Sequence, residues 1–245
     1  MHPSAHTAPI GHRPTGRSPR RAAALTAALA IGAVTYVGVP PGPAQARPVG
    51  AHAVAAPART AIVYGSGKPR DARLTIPAIG IRRLSVIAYR GKTDDGPGTR
   101  IQNRGIAASP YGKDGGTGPG GIGNYQVTAH RSSHGGIFRR VPSLDPGDRA
   151  YVDAGAWRYV YRITRTRWVS FRSAASLRAQ RAAVPGHPDR TAHRGYITIS
   201  TCATFEDHAR GDYWTDRYGN PEHRIDKIGV LVRRVHNPFF HRRHR

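Results

Sequence analysis

The chain has 245 residues, 38 basic against 14 acidic side chains and a formal net charge of +24, with 29 Gly, 20 Pro and one Cys. A single thiol excludes an intramolecular disulfide framework and a thiolate-rich zinc site, because each needs several sulfurs. The length suits one domain with flanking segments, and the charge favours polyanionic partners: nucleic acid, anionic lipid head groups or wall polymers.

The basic set is 34 Arg and 4 Lys, and residues 1–60 hold six Arg and no acid, which leaves the remainder at +18. Residues 1–21 form a basic segment with Arg13, Arg17, Arg20 and Arg21, followed by an uncharged run over 22–39 rich in Ala, Leu, Ile and Val. That run is just long enough to span a bilayer, and its basic flank predicts a cytoplasmic N-terminus with the body outside the cell. Ala44-Gln45-Ala46 also fits a signal-peptidase pattern, so the run reads as a retained transmembrane anchor or as a signal segment cleaved after Ala46. Both readings export the body. Residues 40–72 are rich in Pro, Ala and Gly without hydrophobic periodicity, which predicts a flexible linker.

From Leu74 onward short β-branched and aromatic runs alternate with Gly, Pro and Asp, the pattern of an all-β domain. Strands are predicted over 74–76, 84–89, 125–129, 150–153, 157–162, 168–171, 196–201 and 225–232, enough for a closed barrel or a sandwich. One helix is predicted over 174–184, stopped by Pro185-Gly186, and the Gly-rich stretch over 115–123 is read as a loop.

An unpaired Cys in an exported chain is exposed to oxidants, so Cys202 asks for a reason. Strand alternation puts Ile197 and Ile199 on one face, with Tyr196, Thr198, Ser200 and Cys202 on the other. The thiol therefore ends a strand on the face away from the Ile pair, ahead of a polar stretch. A small buried hydrophobe explains such a Cys equally well. Among thirteen His residues, His130 has a similar address: it ends the strand over 125–129, shares a face with Thr128 and precedes a polar turn. Imidazole beside a thiol can take its proton and return it to a leaving amine, the chemistry of acyl transfer.

The run Pro119-Gly120-Gly121-Ile122-Gly123-Asn124-Tyr125-Gln126-Val127-Thr128-Ala129-His130-Arg131 resembles the approach to the catalytic histidine of sortases. Downstream, Gly135, Phe138, Val141, Leu144 and Gly147-Asp148 fall where the actinobacterial class E type places them, class F being the other class open. Ile199-Ser200-Thr201-Cys202 is similar to the signature at the nucleophile, and Leu74-Thr75-Ile76-Pro77 to the family's opening strand.

The resemblance covers residues 73–235 and leaves 236–245 as a basic tail. It implies an eight-stranded sortase β-barrel with short helices, preceded by a hydrophobic helix and linker. It further implies a membrane-associated cysteine transpeptidase that cuts a Leu-Ala/Pro-x-Thr-Gly-like sorting signal between Thr and Gly. The acyl group would pass through a thioacyl-enzyme to a cell-wall peptide amine. The implied partners are secreted proteins bearing the signal, peptidoglycan stem peptides or precursors, and the membrane through residues 22–39; no nucleic acid is expected.

Carried onto this chain, Cys202 would attack the carbonyl and His130 would protonate the leaving glycine amine. Arg224 would steady substrate and oxyanion, Thr201 would contact substrate or support the oxyanion site, and Tyr111 would read the sorting motif. Two departures stand out: Ala129 replaces the usual Gly before the His, and the segment from Cys202 to the arginine is long. Arg210 and Arg217 lie in that segment too; Arg224 is chosen because it directly precedes the β-rich run over 225–232. No cofactor and no metal is expected, since Glu206, Asp207, Asp212, Asp216 and Glu222 match no compact oxygen-ligand loop. The rival from another class is an exported basic protein binding anionic wall polymer or nucleic acid without catalysis, motivated by the charge and by Phe239, Phe240 and the Arg/His tail, and it leaves the motif spacing unexplained.

Overall fold

The structure is a computed structural model that describes residues 61–240. The run over 22–39, the basic segment before it, most of the linker and residues 241–245 lie outside the described residues. Among the described residues no helix is long and apolar enough to cross a membrane.

Eight strands close into a barrel: β1 (Ala72–Ile76), β2 (Ile81–Arg90), β3 (Ala107–Tyr111), β4 (Gly123–Thr128), β5 (Arg149–Ala154), β6 (Trp157–Ser170), β7 (Gly195–Cys202) and β8 (His223–His236). The order around the barrel is β1-β2-β3-β4-β7-β8-β6-β5, with β5 pairing β1 to close it. The pairs β2/β3 and β4/β7 are parallel. Each parallel pair needs a crossover. The first carries α1 (Gly96–Gln102), the second carries α2 (Ala174–Arg181), and α3 (Thr204–Ala209) follows β7.

The eight-stranded barrel agrees with the sequence expectation, although the strands differ in two places. The stretch over 107–111, Ala-Ala-Ser-Pro-Tyr, carries no β-branched residue, and only its burial between β2 and β4 makes it a strand. Conversely, the runs over 157–162 and 168–171 are the two ends of one long strand, β6. Its middle, Thr164 to Arg167, is polar and mostly exposed, and register shifts at Val160/Tyr161 and Ile163/Arg165 break the alternation that would have joined them. The helix over 174–184 ends three residues early, at Arg181. Its start is capped by the Ser173 hydroxyl, which accepts from Ser176 N at 3.1 Å. Helix α1, Gly-Pro-Gly-Thr-Arg-Ile-Gln, has poor helix formers and survives on its start: Asp95 accepts from Gly98 N at 2.9 Å and Pro97 supplies a preset φ.

The core lies inside the barrel and includes Leu74, Ile76, Val127, Tyr161, Ile197 and Ile199. Full burial of Ile197 and Ile199 is worth on the order of 1.5–3 kcal/mol each and locks the facing of β7. Gly120 in the loop leading to β4 has φ +74 and lies so close to the Tyr159 ring that a Cβ would fall 2.0 Å from it, so only glycine fits. The same residue's N–H donates to the Tyr161 hydroxyl at 2.8 Å, which pins the loop ahead of β4.

Both ends of the barrel reach beyond the sequence boundaries. Ile62 and Tyr64, assigned to the linker, pack on the core; Gly65 N donates to Gly120 O and Gly118 N to Gly67 O, each at 2.7 Å. At the other end β8 runs to His236, Asn237 N donates to Ala156 O at 2.9 Å, and the Arg83 guanidinium lies 3.9 Å over the Phe239 ring. Among the described residues, 62–72 of the expected linker and 236–240 of the expected tail thus pack with the barrel.

Candidate active site

Strand register builds the site. In the parallel pair β4/β7, Thr128 is the partner of Ser200, so two residues further along each chain His130 and Cys202 stand at the same level. In the antiparallel pair β7/β8, Cys202 is the direct partner of Arg224. Three chain segments thus bring an imidazole, a thiol and a guanidinium into one row across the barrel. Thr201 secures it, its hydroxyl donating to Ala129 O at 3.0 Å.

His130 is half-buried, and its Nε2 is 2.7 Å from Asn103 Oδ1. Since the amide oxygen only accepts, Nε2 carries the hydrogen there and Nδ1 is left as the basic nitrogen. The ring of His134 stacks on it with centroids 4.9 Å apart. Burial lowers the His130 pKa from its ordinary value, as do the His134 and Arg224 charges, against an upward pull from Asp94.

Cys202 is half-buried at the end of β7. Burial pushes its thiol up, Arg224 draws it down, Asp94 pushes it up and Arg131 draws it down; the net shift is upward. At neutral pH the pair therefore rests as a neutral thiol beside a neutral imidazole. Arg131 fixes the backbone here: Nη1 donates to Cys202 O at 3.0 Å, and Nη1 and Nη2 both donate to the Glu206 carboxylate, at 2.9 and 2.8 Å. Such a bidentate grip ties α3 to the turn after β4.

Arg224 is 0% exposed, and its Nε donates to Asp94 Oδ2 at 2.8 Å. Burial works to lower the guanidinium's pKa; Cys202 once ionised and the Asp94 carboxylate pull it up, and the net shift is upward, so Arg224 is charged. Burial alone would raise the Asp94 carboxyl. The Arg224 charge and the donors Thr128, Gln102 and Arg224 outweigh it and hold the carboxyl below the ordinary range. Arg210 and Arg217 sit apart at the surface over the rings of Trp168 and Tyr218, at 4.7 and 4.8 Å.

A pocket of about 250 Å³ opens over Cys202 and His130, lined also by Asn103, Arg131, Tyr218 and Asn220 among others, with Arg224 buried beneath it. The aromatic segment after Cys202 thus contributes a wall to it through Tyr218. Thiol, imidazole and guanidinium in this arrangement supply a nucleophile, a proton carrier and a donor for a developing oxyanion.

Of two further expected residues, one falls elsewhere and one lies within the sheet at the site. Tyr111 lines a different pocket, with Arg90, Lys92, Asp95, Lys113 and Asp114, and does not border the pocket of the thiol. Thr201 is buried with its hydroxyl on Ala129 O and supports the site from within. Alternation from Ile197 and Ile199 already pointed it inward. Missed altogether were Asp94 and Asn103, which touch Arg224 and His130 across 130 and 27 residues of chain. Neither lies in a motif, and a Lys-Thr-Asp-Asp-Gly stretch reads as an ordinary turn.

Among the described residues Asp207, Asp212 and His223 bring ligand atoms within 4.8 Å of one another. Asp207 is already engaged there, accepting from His223 N at 3.0 Å and lying 2.9 Å from His223 Nδ1, which accounts for its burial without an ion.

A family model described as a sortase domain matches residues 74–218. No curated protein matches the chain in sequence. Among solved structures the chain is similar to the SrtA sortase from Actinomyces oris, at TM-score 0.51 and 20% identity over 75% of this chain and 89% of that one. It is similar also to the SrtF sortase from Corynebacterium diphtheriae, at TM-score 0.50 and 16% identity over 75% and 94%. For Sortase E1 from Streptomyces coelicolor the TM-score is 0.49 and the identity 20%, over 71% and 94%. At these identities the likeness is one of fold.

Proposed function

The chain belongs to the sortase family of cysteine transpeptidases, and on that premise we propose that it cleaves a Leu-Ala/Pro-x-Thr-Gly-like sorting signal between Thr and Gly and joins the Thr carbonyl to a cell-wall peptide amine. Cys202 is the nucleophile. Its Sγ–H proton passes to His130 as sulfur bonds to the Thr carbonyl carbon. The tetrahedral oxyanion is met by the Arg224 guanidinium, and His130 returns the proton to the glycine nitrogen as the C–N bond breaks. An incoming amine then attacks the thioester, gives its proton to His130 and regenerates the thiol. Atoms and charges balance over the cycle, and water in place of the amine yields hydrolysis at the same site.

The observation that supports these roles is the row itself: Cys202 opposite Arg224 in one ladder, and His130 level with Cys202 across the other. A purely binding protein has no need for a guanidinium kept charged and fully buried beside its only thiol. The charge that motivates a wall-polymer or nucleic-acid binder lies, among the described residues, mostly on exposed Arg apart from this row.

The resemblance to the class E type favours Ala over Pro at the second position of the signal. Retention through residues 22–39, with the barrel outside the membrane, would put the enzyme where secreted clients and wall precursors meet. The test is product analysis by mass spectrometry with Leu-Ala-x-Thr-Gly and Leu-Pro-x-Thr-Gly peptides, each with and without an amine acceptor. The expected result is a Thr–amine conjugate when acceptor is present and slow release of the free acid without it. Absence of cleavage between Thr and Gly for both peptides, or cleavage that survives loss of Cys202, overturns the reading.

A further inference from the structure

A buried guanidinium is tolerated only when a counterion and hydrogen bonds replace the water it has lost. Arg224 is the bulkiest of the fully buried side chains among the described residues. Its one ion pair there is the 2.8 Å contact from Nε to Asp94 Oδ2. The Phe171 ring lies 4.2 Å below the guanidinium, and Nη1 reaches the His223 carbonyl at 3.5 Å. Nη2 is buried with no partner at all.

Asp94 is itself held with care. Its Oδ1 accepts from the Thr128 hydroxyl at 2.6 Å and from Gln102 Nε2 at 2.8 Å, which leaves Oδ2 to Arg224. Its carbonyl accepts from Asn220 Nδ2 at 3.4 Å, in the wall of the thiol pocket. Thr128 precedes His130 by two residues on β4, and Gln102 adjoins the Asn103 that holds the His130 ring. The residue has φ +55, a left-handed conformation that a side chain of this length adopts when its hydrogen bonds over-determine it.

We infer that Asp94 is a positioning residue for transpeptidation: its carboxylate, braced by Thr128 and Gln102, grips Nε of Arg224 and leaves Nη2 as the free donor for the oxygen of the tetrahedral intermediate. This rests on the reading of Arg224 given above. The free donor is the point of the arrangement. A guanidinium whose five N–H groups were all satisfied by protein would have nothing to offer an oxyanion, and one without a counterion would not stay charged in this setting.

The charges around the row make the role measurable apart from fold. Arg224 feels Cys202, Asp94 and Asp216; Cys202 feels Arg224, Asp94 and Arg131; His130 feels His134, Asp94 and Arg224. Asp94 pushes both Cys202 and His130 upward. Removing its charge therefore moves both titrations toward acid, whereas a mere loss of packing draws Cys202 toward acid but lets His130 rise.

Asp94→Asn is the chosen variant, because Asn tolerates the left-handed backbone and its oxygen still accepts from Thr128 and Gln102 while its NH2 opposes Arg224 Nε. The readouts are kcat and KM on the sorting peptide, a thermal melt, the pH dependence of iodoacetamide labelling of Cys202, the chain's single thiol, and the His130 imidazole resonance followed by NMR against pH, whose midpoint should also move toward acid. The expected result is a folded protein with kcat down by about tenfold or more and KM within about twofold. The labelling midpoint should move toward acid by about half a unit or more. On an Arg224→Gln background Asp94→Asn should add less than about twofold, since neither buried charge is then left unpaired and the partner through which it acts is gone. A folded Asp94→Asn with wild-type kcat and an unmoved midpoint overturns the inference, as does an equally large loss on the Arg224→Gln background.

If Asp94→Asn does not fold, Thr128→Val removes one brace while keeping the strand's shape. A threefold or greater fall in kcat, within what one hydrogen bond to a carboxylate is worth, supports the inference, and no change overturns it. Arg224→Gln at wild-type rate removes the reading of Arg224 and the inference together. Loss with Arg224→Gln but not with Asp94→Asn removes the inference alone. The labelling profile needs no sorting peptide, so it reports on Asp94 even where no peptide is turned over.

Discussion

Cys202 and Arg224 are direct partners in the antiparallel pairing of β7 with β8. This pairing makes their proximity a property of the sheet and not of two flexible side chains, so the charge stands beside the thiol wherever the two strands are paired. The same ladder carries Ser200 opposite Asp226 and Thr198 opposite Ile228, so the outer face of β7 is polar from Thr198 to the thiol.

Replacing Cys202 by Ala should abolish turnover of the sorting peptide and leave the melting temperature close to that of the wild type. The side chain lies at a strand end on the pocket side, and its loss removes the chain's only sulfur nucleophile. Residual peptide cleavage near the wild-type rate would remove Cys202 from the mechanism.

Replacing Arg224 by Ala should cost about a hundredfold or more in turnover, and Arg224→Lys should stay much impaired because an ammonium lacks the planar fork. The Ala variant should also lose about 3–5 kcal/mol of stability, since Asp94 is left buried and unpaired. Arg210→Ala and Arg217→Ala, at exposed cation–π contacts, should stay within a few-fold of wild type. Peptide kinetics and melts on all four variants check this, and a collapse at Arg210 or Arg217 with Arg224→Ala near normal reverses the assignment.

His134→Ala should keep most of the activity while moving the His130 titration toward alkaline pH. The His134 charge is one of the causes that lower the His130 pKa, so its removal lets the value climb back toward 6.5. The imidazole resonance of His130 followed by NMR against pH measures the shift; a midpoint that moves toward acid or stays fixed contradicts the stacked geometry. His130→Ala should abolish turnover.

Asp226 is buried against Gln180, whose Nε2 donates to both carboxylate oxygens at 3.1 and 3.2 Å, and burial raises its pKa from 3.8 to about 6. A carboxyl whose folded pKa exceeds its unfolded value holds its proton longer in the native state. Its full contribution to stability is present below about pH 4 and is lost as pH rises through 6. Asp226→Asn should therefore stabilise the protein at pH 8, by up to about 3 kcal/mol, and have little effect at pH 4. The new NH2 would also meet Gln180 Oε1, which is buried and unpartnered. Denaturation melts at the two pH values decide it: a loss of stability at pH 8 contradicts the prediction.

By itself the sequence determined whatever depends on neighbours a few residues apart. Alternation over 196–202 set which side of β7 is core and which carries Cys202, because Ile197 and Ile199 could only turn inward. The β-rich run after Arg224 was enough to prefer it over Arg210 and Arg217. Where local pattern was weak the reading lapsed: β3 has no β-branched residue, and the polar middle of β6 hid its continuity. Only the tertiary structure decided what surrounds the row. Asp94 meets Arg224 because the turn before α1 folds against β8, and Asn103 meets His130 because the end of α1 lies beside the end of β4. A Thr hydroxyl, a Gln amide and an Asp carboxylate in separate stretches carry no periodic signal of their own. Their meaning comes from burial, where a polar atom must find its partner or forfeit the free energy of its lost water, and burial is a property of the closed barrel.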